Sequence, residues 1–228
     1  MEKIAENILQ VKENIERAAQ KSGRNASDIT LIGVSKTVSV EHIQKAITLG
    51  ITNFGENKVQ ELLSKYEVVT DDPTWHMIGH LQTNKVKYIV DKVKLIHSVD
   101  SIKLAQVIDK RAKQHHIVSD ILIEINVADE QTKHGISIKN AHELIEQMNN
   151  LTNVKTKGLM CIAPFVENQE ENRVYFEKMY RLFVDIKAKR LHNIEMRFLS
   201  MGMTGDYQVA IEEGANMVRI GTGIFGCR

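Results

Sequence analysis

Eight short runs of branched aliphatic residues, each followed by a polar turn and a stretch of helical periodicity, govern what this 228-residue chain can fold into. The runs are "TLIGVSK", "ITNFGE", "WHMIG", "LIHSV", "DILIEIN", "KGLMCIA", "RFLSM" and "MVRIG". Between them lie two-faced segments such as "VEHIQKAITLG", "NKVQELLSKY", "SIKLAQVIDKRAKQ", "NAHELIEQMNN" and "YFEKMYRLFVDIKAK", with Gly50 and Gly214 placed as helix stops. Strands that are apolar on both faces need cover on both, which argues for a parallel sheet sheathed by helices. Eight such units favour closure into a barrel. The open doubly wound alternative normally carries G-x-G-x-x-G after its first strand, and that fingerprint is absent here.

The expected fold is therefore α/β, a (β/α)8 barrel in one domain spanning 1–228. Residues 1–22 form an extra N-terminal helix with Ile4, Ile8, Val11, Ile15 and Ala18 on its apolar face. Only Pro73 and Pro164 occur, and no linker divides the chain. On the sixth helix Tyr175, Phe176, Met179, Leu182 and Phe183 read as core, and Trp75 packs beneath the third strand.

Charge removes several classes of function. Thirty Lys and Arg against 29 Asp and Glu leave a formal charge of +1 with no basic block, which argues against a nucleic-acid partner. The first twenty residues are charged every few positions and contain no apolar leader core, and no run is long enough to span a bilayer. These observations predict a soluble, cytoplasmic protein. Cys161 and Cys227 lie far apart with no C-x-x-C partner, so both read as ordinary thiols.

In a barrel of this kind the chemistry sits at the strand C-termini, with phosphate often bound after strands 7 and 8. Lys36, Asn57, His80, Ser200 and Arg219 would all converge on that mouth. "FLSMGMTGDYQVAIEEG" and "VRIGTGIFG" place Ser200, Gly202, Thr204, Gly205, Gly221, Thr222 and Gly223 in the two loops concerned. Glycines admit backbone amides close to an anion and hydroxyls add donors, so the pair reads as a phosphate cradle. Lys36, at the end of the first run, can attack a carbonyl if partly desolvated; the bland alternative is a surface lysine with its stem on apolar atoms. An aldehyde and a phosphate on one ligand fit pyridoxal 5′-phosphate (PLP). Arg219 would face its ring nitrogen and leave it unprotonated, weakening the electron sink; a structural pairing with Glu124 or Glu213 is the alternative.

The strings "GVSKT", "FGENKVQE", "WHMIGHLQTNK", "IHSVDS", "GLMCIAP", "LSMGMTGDYQVAI" and "VRIGTGIFG" closely resemble the pyridoxal phosphate homeostasis proteins, the YggS or PROSC family, from about Leu31 to the C-terminus. The resemblance implies an alanine-racemase-like barrel, the cofactor held as an aldimine on Lys36, and a role in storing and delivering it. It also implies phosphate contacts from Ser200, Gly221 and Thr222, a ring-nitrogen contact from Arg219 and a lining role for Asn57. At Thr204-Gly205 the family commonly has a serine and an acidic residue, so this loop departs from the pattern.

A racemase of this fold type needs a second base, a tyrosine contributed by a second domain through a dimer. The chain ends two residues after "IFG", which leaves no room for such a domain. The resulting expectation is a carrier without efficient amino-acid turnover and with no catalytic residue, a monomer handing the cofactor to apo-enzymes. Two rivals remain: a PLP-dependent racemase or related enzyme using Tyr207, His80 or His97 as its second base, and a cofactor-free Schiff-base lyase for sugar phosphates. A metal site at His76 and His80 has little support, because a strand and its exit hold them too far apart. The loop "NVADEQTKHGI" after strand 5, with Lys133, His134 and Gly135, is placed to close over the mouth, where Lys133 is a candidate for a part in cofactor transfer.

Overall fold

A computed structural model describes residues 2–226. Nine strands form in chain order: β1 (Thr30–Val34), β2 (Asn53–Glu56), β3 (Thr74–Met77), β4 (Leu95–Val99), β5 (Ser119–Asn126), β6 (Ile136–Ser137), β7 (Val154–Cys161), β8 (Ile194–Ser200) and β9 (Met217–Ile220). Every pairing is parallel, in the order β4-β3-β2-β1-β9-β8-β7-β5-β6, and a further β4–β5 pairing closes eight of them into a barrel. All eight expected runs become barrel strands. The two-residue β6, which pairs only with β5, was not expected.

The helices are α1 (Glu2–Lys21), α2 (Val40–Thr48), α3 (Val59–Tyr66), α4 (Ile102–Gln114), α5 (Ile138–Met148), α6 (Arg173–Ala188), α7 (Tyr207–Glu212) and α8 (Thr222–Phe225). A 3-10 helix, Thr83–Tyr88, fills the place of a full helix between β3 and β4. Gly50 and Gly214 have φ of +83° and +102°, the left-handed conformation that ends a helix cheaply only at glycine. Helix α1 buries Ile4, Ile8, Val11, Ile15 and Ala18 as its periodicity requires. It is tied to the last βα units: Asn14 Nδ2 donates to the Tyr207 hydroxyl at 2.8 Å and Asn7 Nδ2 to the Ile224 carbonyl at 2.9 Å.

The outer core, between sheet and helices, is one large apolar cluster that includes Trp75, Phe176, Met179, Leu182 and Phe183, with Tyr175 packed against it. Inside the barrel the residues come in layers, because side chains two apart on a strand share a face. Ile32, Leu95, Leu122, Met160 and Met217, with Phe198 against them, make an apolar layer. Two residues further along four of those strands stand His97, Glu124, Ser200 and Arg219, all buried. The barrel is thus filled by an apolar layer below a polar one on the side toward the mouth.

Candidate functional site

Lys36 lies two residues beyond β1, in a turn, with its side chain exposed; the first run is shorter as a strand than its apolar pattern suggests. The turn is held from both sides. Lys65 of α3, itself buried, donates to the Ser35 carbonyl at 2.6 Å, to Glu56 Oε1 at 2.8 Å and to Glu61 Oε1 at 2.6 Å. Ser35 Oγ donates to the same Glu56 oxygen at 2.6 Å, and the Thr37 amide donates to Glu61. Thr37 has φ +58°, a left-handed conformation that a β-branched residue adopts only under constraint. Burial raises the Glu56 pKa while Lys65 and Ser35 pull against it. Burial also acts upward on Glu61, but its bonds from Lys65 and the Thr37 amide win and the pKa is lowered. One buried ammonium therefore fixes the residues on either side of Lys36 and leaves Lys36 projecting.

Beside this turn stands the last βα loop. β1 pairs with β9 through Gly33 and Ile220, and a Cβ on Gly221 would lie 3.4 Å from the Val34 Cβ. Thr204, from the loop after β8, meets it from the other side. Its Oγ1 accepts from the Gly223 amide at 3.2 Å and lies 3.2 Å from Thr222 Oγ1. A Cβ on Gly223 would come within 2.8 Å of Ile220 Cγ2 and 3.2 Å of Thr204 Cγ2, so the approach of the loops depends on that glycine. Gly202 is equally constrained, at φ +93° and with a Cβ position 2.7 Å from Ala210. The result is a small, hydroxyl- and amide-lined cradle.

Arg219 is fully enclosed. Its Nη1 donates to Ser200 Oγ at 2.5 Å and its Nη2 to the Cys161 carbonyl at 2.8 Å. Burial lowers its pKa, opposed by Cys161, Asp206 and Glu124, but a guanidinium stays charged. From Ser200 a hydrogen-bonded chain runs down the barrel: His97 Nδ1 lies 3.2 Å from Ser200 Oγ, His97 Nε2 lies 3.1 Å from His76 Nδ1, and His76 Nε2 lies 3.1 Å from Asn53 Oδ1. Asn53 Nδ2 donates to Thr52, which turns its oxygen to His76. The direction of every bond follows. His76 must donate from Nε2, so its Nδ1 accepts from His97 Nε2–H, and His97 Nδ1 accepts from the serine hydroxyl, whose oxygen accepts from Arg219. Both imidazoles are neutral: burial, with Lys94 nearby, lowers His76 to about 4, and burial, His76 and Arg219 push His97 well below its usual value.

Glu124 completes the polar layer. Burial and the like charge of Asp100 raise it to about 7 against the pull of Arg219, and its Oε2 is buried without a partner. Among the described residues no hydrogen bond joins Arg219 to Glu124, although the two charges attract, and Glu213 is taken by Arg173 at 2.6 Å.

The structure brings the Lys36 turn, Gly221 and Thr222 together at the mouth. Ser200, the last residue of β8 and on the same inward face as Phe198, is buried with its hydroxyl between His97 and Arg219, while Thr204 of the following loop stands at the cradle. Asn57 lies at the exit of β2, where its backbone packs so closely on Gly79 that a Cβ there would be 2.4 Å from the Asn57 oxygen. His76 points into the barrel and His80 to its lip, so the two share no site. Tyr207 is buried with its hydroxyl bonded to Asn14 of α1, and His97 is enclosed; neither is available as a second base. Cys161 is a buried free thiol raised to about 12 by burial, while Cys227 lies outside the described residues. The relay from Arg219 to Asn53 was not found in the sequence, since its members come from five strands whose register only the fold supplies. The one available signal was the repeated apolar-x-polar triplet of Leu95–His97, Leu122–Glu124, Phe198–Ser200 and Met217–Arg219.

A lysine turn, a hydroxyl cradle and an inward arginine at the mouth of a parallel barrel define a small-molecule site of the alanine racemase type, and the family described as "Alanine racemase, N-terminal domain" matches residues 7–228. Likeness to the alanine racemase of Corynebacterium glutamicum, at TM-score 0.70 and 12% identity over all of this chain and 62% of that one, concerns the fold alone. The pyridoxal phosphate homeostasis protein of Aquifex aeolicus (strain VF5) is 49% identical over 224 residues, 98% of this chain and 97% of that protein. Among solved structures, PipY of Synechococcus elongatus PCC7942 with PLP bound superposes at TM-score 0.85 and 30% identity, over 98% of this chain and 100% of that one. The chain belongs to the pyridoxal phosphate homeostasis protein family.

Proposed function

We propose that this protein binds pyridoxal 5′-phosphate at the barrel mouth, holds it through an imine between the cofactor aldehyde and Lys36, and serves intracellular cofactor supply without efficient amino-acid turnover. The observation that carries this reading is the Lys36 turn: Lys65 and Glu61 hold Ser35 and Thr37, so an exposed amine is presented from the strand that neighbours the amide- and hydroxyl-lined loop. Imine formation joins Nζ to the aldehyde carbon and releases water. Gly221, Thr222, Gly223 and Thr204 supply amides and hydroxyls to the phosphate, and Asn57 lines the edge. Arg219 would face the ring nitrogen, and Ser200, hydrogen-bonded to it at the end of β8, would stand toward the phosphate. The residues fit the cofactor chemically, and the PLP-bound relative supports the choice.

Bound PLP supplies an electron sink, and this chain damps it. A guanidinium does not give up its proton, so the ring nitrogen beside Arg219 stays unprotonated. Proton abstraction on both faces of a substrate carbon would need a second base; Tyr207 and His97 are committed elsewhere, which leaves the exposed His80 as the candidate that the exchange test must answer. We place the protein in the cytoplasm as a monomer that passes PLP to apo-enzymes. Among the described residues no helix is long and apolar enough to cross a membrane.

The test is α-proton exchange. The PLP-loaded protein is incubated with L-amino acids in deuterated buffer and followed by proton NMR, while transfer to an apo-aminotransferase is timed in parallel. The expected outcome is transfer without exchange above the Lys36→Ala background. Sustained exchange that depends on Lys36 would make the protein an enzyme.

A further inference from the structure

On the lip of the barrel three side chains from three elements converge. His80 follows β3, Asp100 follows β4, and His134 belongs to the 127–135 loop between β5 and β6. One ligand atom from each lies within 4.8 Å of the others. The two imidazoles stack with centroids 4.0 Å apart at 12°. Asp100 Oδ2 is 3.9 Å from His80 Nδ1, too far for a hydrogen bond, so the pair does not consume its own lone pairs.

The loop is built to present His134. Asn126, at the end of β5, donates from Nδ2 to the Glu130 carbonyl at 2.8 Å and accepts from the Glu130 amide at 3.1 Å, pinning the base of the loop. Gly135, at φ +102°, lies so close to β5 that a Cβ would be 2.7 Å from the Asn126 nitrogen. Lys133, the cation adjacent in sequence, is neutralised by Glu130 at 2.6 Å. A cation arriving at His134 therefore meets two imidazoles and a carboxylate, with Lys58 and Lys85 on the far side of His80 as the opposing charges.

Two nitrogens and one oxygen suit a late first-row divalent metal better than magnesium or calcium, which prefer all-oxygen shells. Bonds of about 2.1 Å place tetrahedral ligand atoms roughly 3.4 Å apart. Because the lone pairs of the stacked rings lie in near-parallel planes, His80, 41% exposed, must turn out of the stack for both nitrogens to meet one ion, and Asp100, 21% exposed, follows by rotation. We propose that His80, Asp100 and His134 form a divalent transition-metal site of the zinc class, with open positions for water. The metal ties the 127–135 loop to the exits of β3 and β4. The site involves neither Lys36 nor the cradle and stands independently of the cofactor reading.

The experiment is a titration of the full chain with Co2+ as a spectroscopic stand-in for Zn2+, with tryptic cleavage after Lys133 as a measure of loop mobility. The wild type should take up one equivalent with the intense ligand-field bands of four- or five-coordinate Co2+, bleached by Zn2+. His80→Ala and His134→Ala should each weaken binding at least tenfold, and His42→Ala on the surface of α2 should leave it unchanged. Zn2+ should slow cleavage at Lys133 several-fold in the wild type and not in His80→Ala. Bands no stronger than those of aqueous Co2+, or variants at His80 and His134 that bind as the wild type does, would overturn the site. Unchanged cleavage in the presence of bound metal would overturn the tether.

Discussion

The exposed ammonium of Lys36 contributes little to packing, so Lys36→Ala should leave the unfolding free energy within about 0.5 kcal/mol of the wild type while removing covalent cofactor. Urea unfolding of the cofactor-free proteins checks this, and a loss of several kcal/mol would mean that the lysine is structural. Glu124 makes the opposite kind of residue, one whose ionisation the fold opposes. Its folded pKa, raised to about 7 by burial, exceeds the ordinary value of 4.5. The folded state then holds the proton that the unfolded chain releases, so its contribution to stability is present below pH 4.5 and falls as pH rises toward 7. On the order of 3 kcal/mol should be lost across that window in the cofactor-free protein, and Glu124→Gln should flatten the profile. A wild-type curve level between pH 5 and 7.5 would contradict this assignment.

At the level of elements, β2 and α3 serve β1: Glu56 and Lys65 exist in the interior to hold a turn that neither belongs to. Lys65→Ala strands the Glu56 carboxylate and should cost about 3–5 kcal/mol, and it should slow imine formation by releasing Ser35 and Thr37. Replacing both charges, as Glu56→Gln with Lys65→Met, should recover much of the stability but not the rate. Equal rates in the double variant and wild type would show that the turn needs no such support. The sequence made the barrel elements plain because apolar runs of period two alternate with helical stretches over the whole chain. It said less where tertiary structure overrides local pattern. "TNKVKY" winds as a 3-10 helix in place of a full helix, and β1 stops at Val34 with the last apolar residue of its run, two residues short of the expected end at Lys36. The placing of Lys36, Gly221 and Thr222 just beyond strand ends was legible because glycines, hydroxyls and lone charges punctuate the apolar runs. What the sequence could not show for Ser200 was its bond to Arg219, since its inward parity is set by β8 rather than by its loop.

Across the whole molecule the interior is divided by height, and that division is the link between fold and function. The apolar layer of Ile32, Leu95, Leu122, Met160 and Met217 fills the barrel, the polar layer above it carries Arg219, Ser200 and His97, and the relay runs on downward through His76, level with Leu95. Because each bond in that relay has one direction, a charged Arg219 is kept in place by neutral groups, and the mouth receives a fixed cation rather than a titrating one. Ligand that binds only the folded state should raise stability with concentration, by about 2.7 kcal/mol at one hundred times its dissociation constant. The central claim is that the mouth holds PLP on Lys36. It is tested most directly by recording the visible spectrum of the purified protein, reducing it with borohydride and mapping the modified peptide. The account predicts a yellow protein, with the reduced adduct on Lys36 and absent in Lys36→Ala. A protein that stays colourless with added PLP, or an adduct found on another lysine, would contradict it.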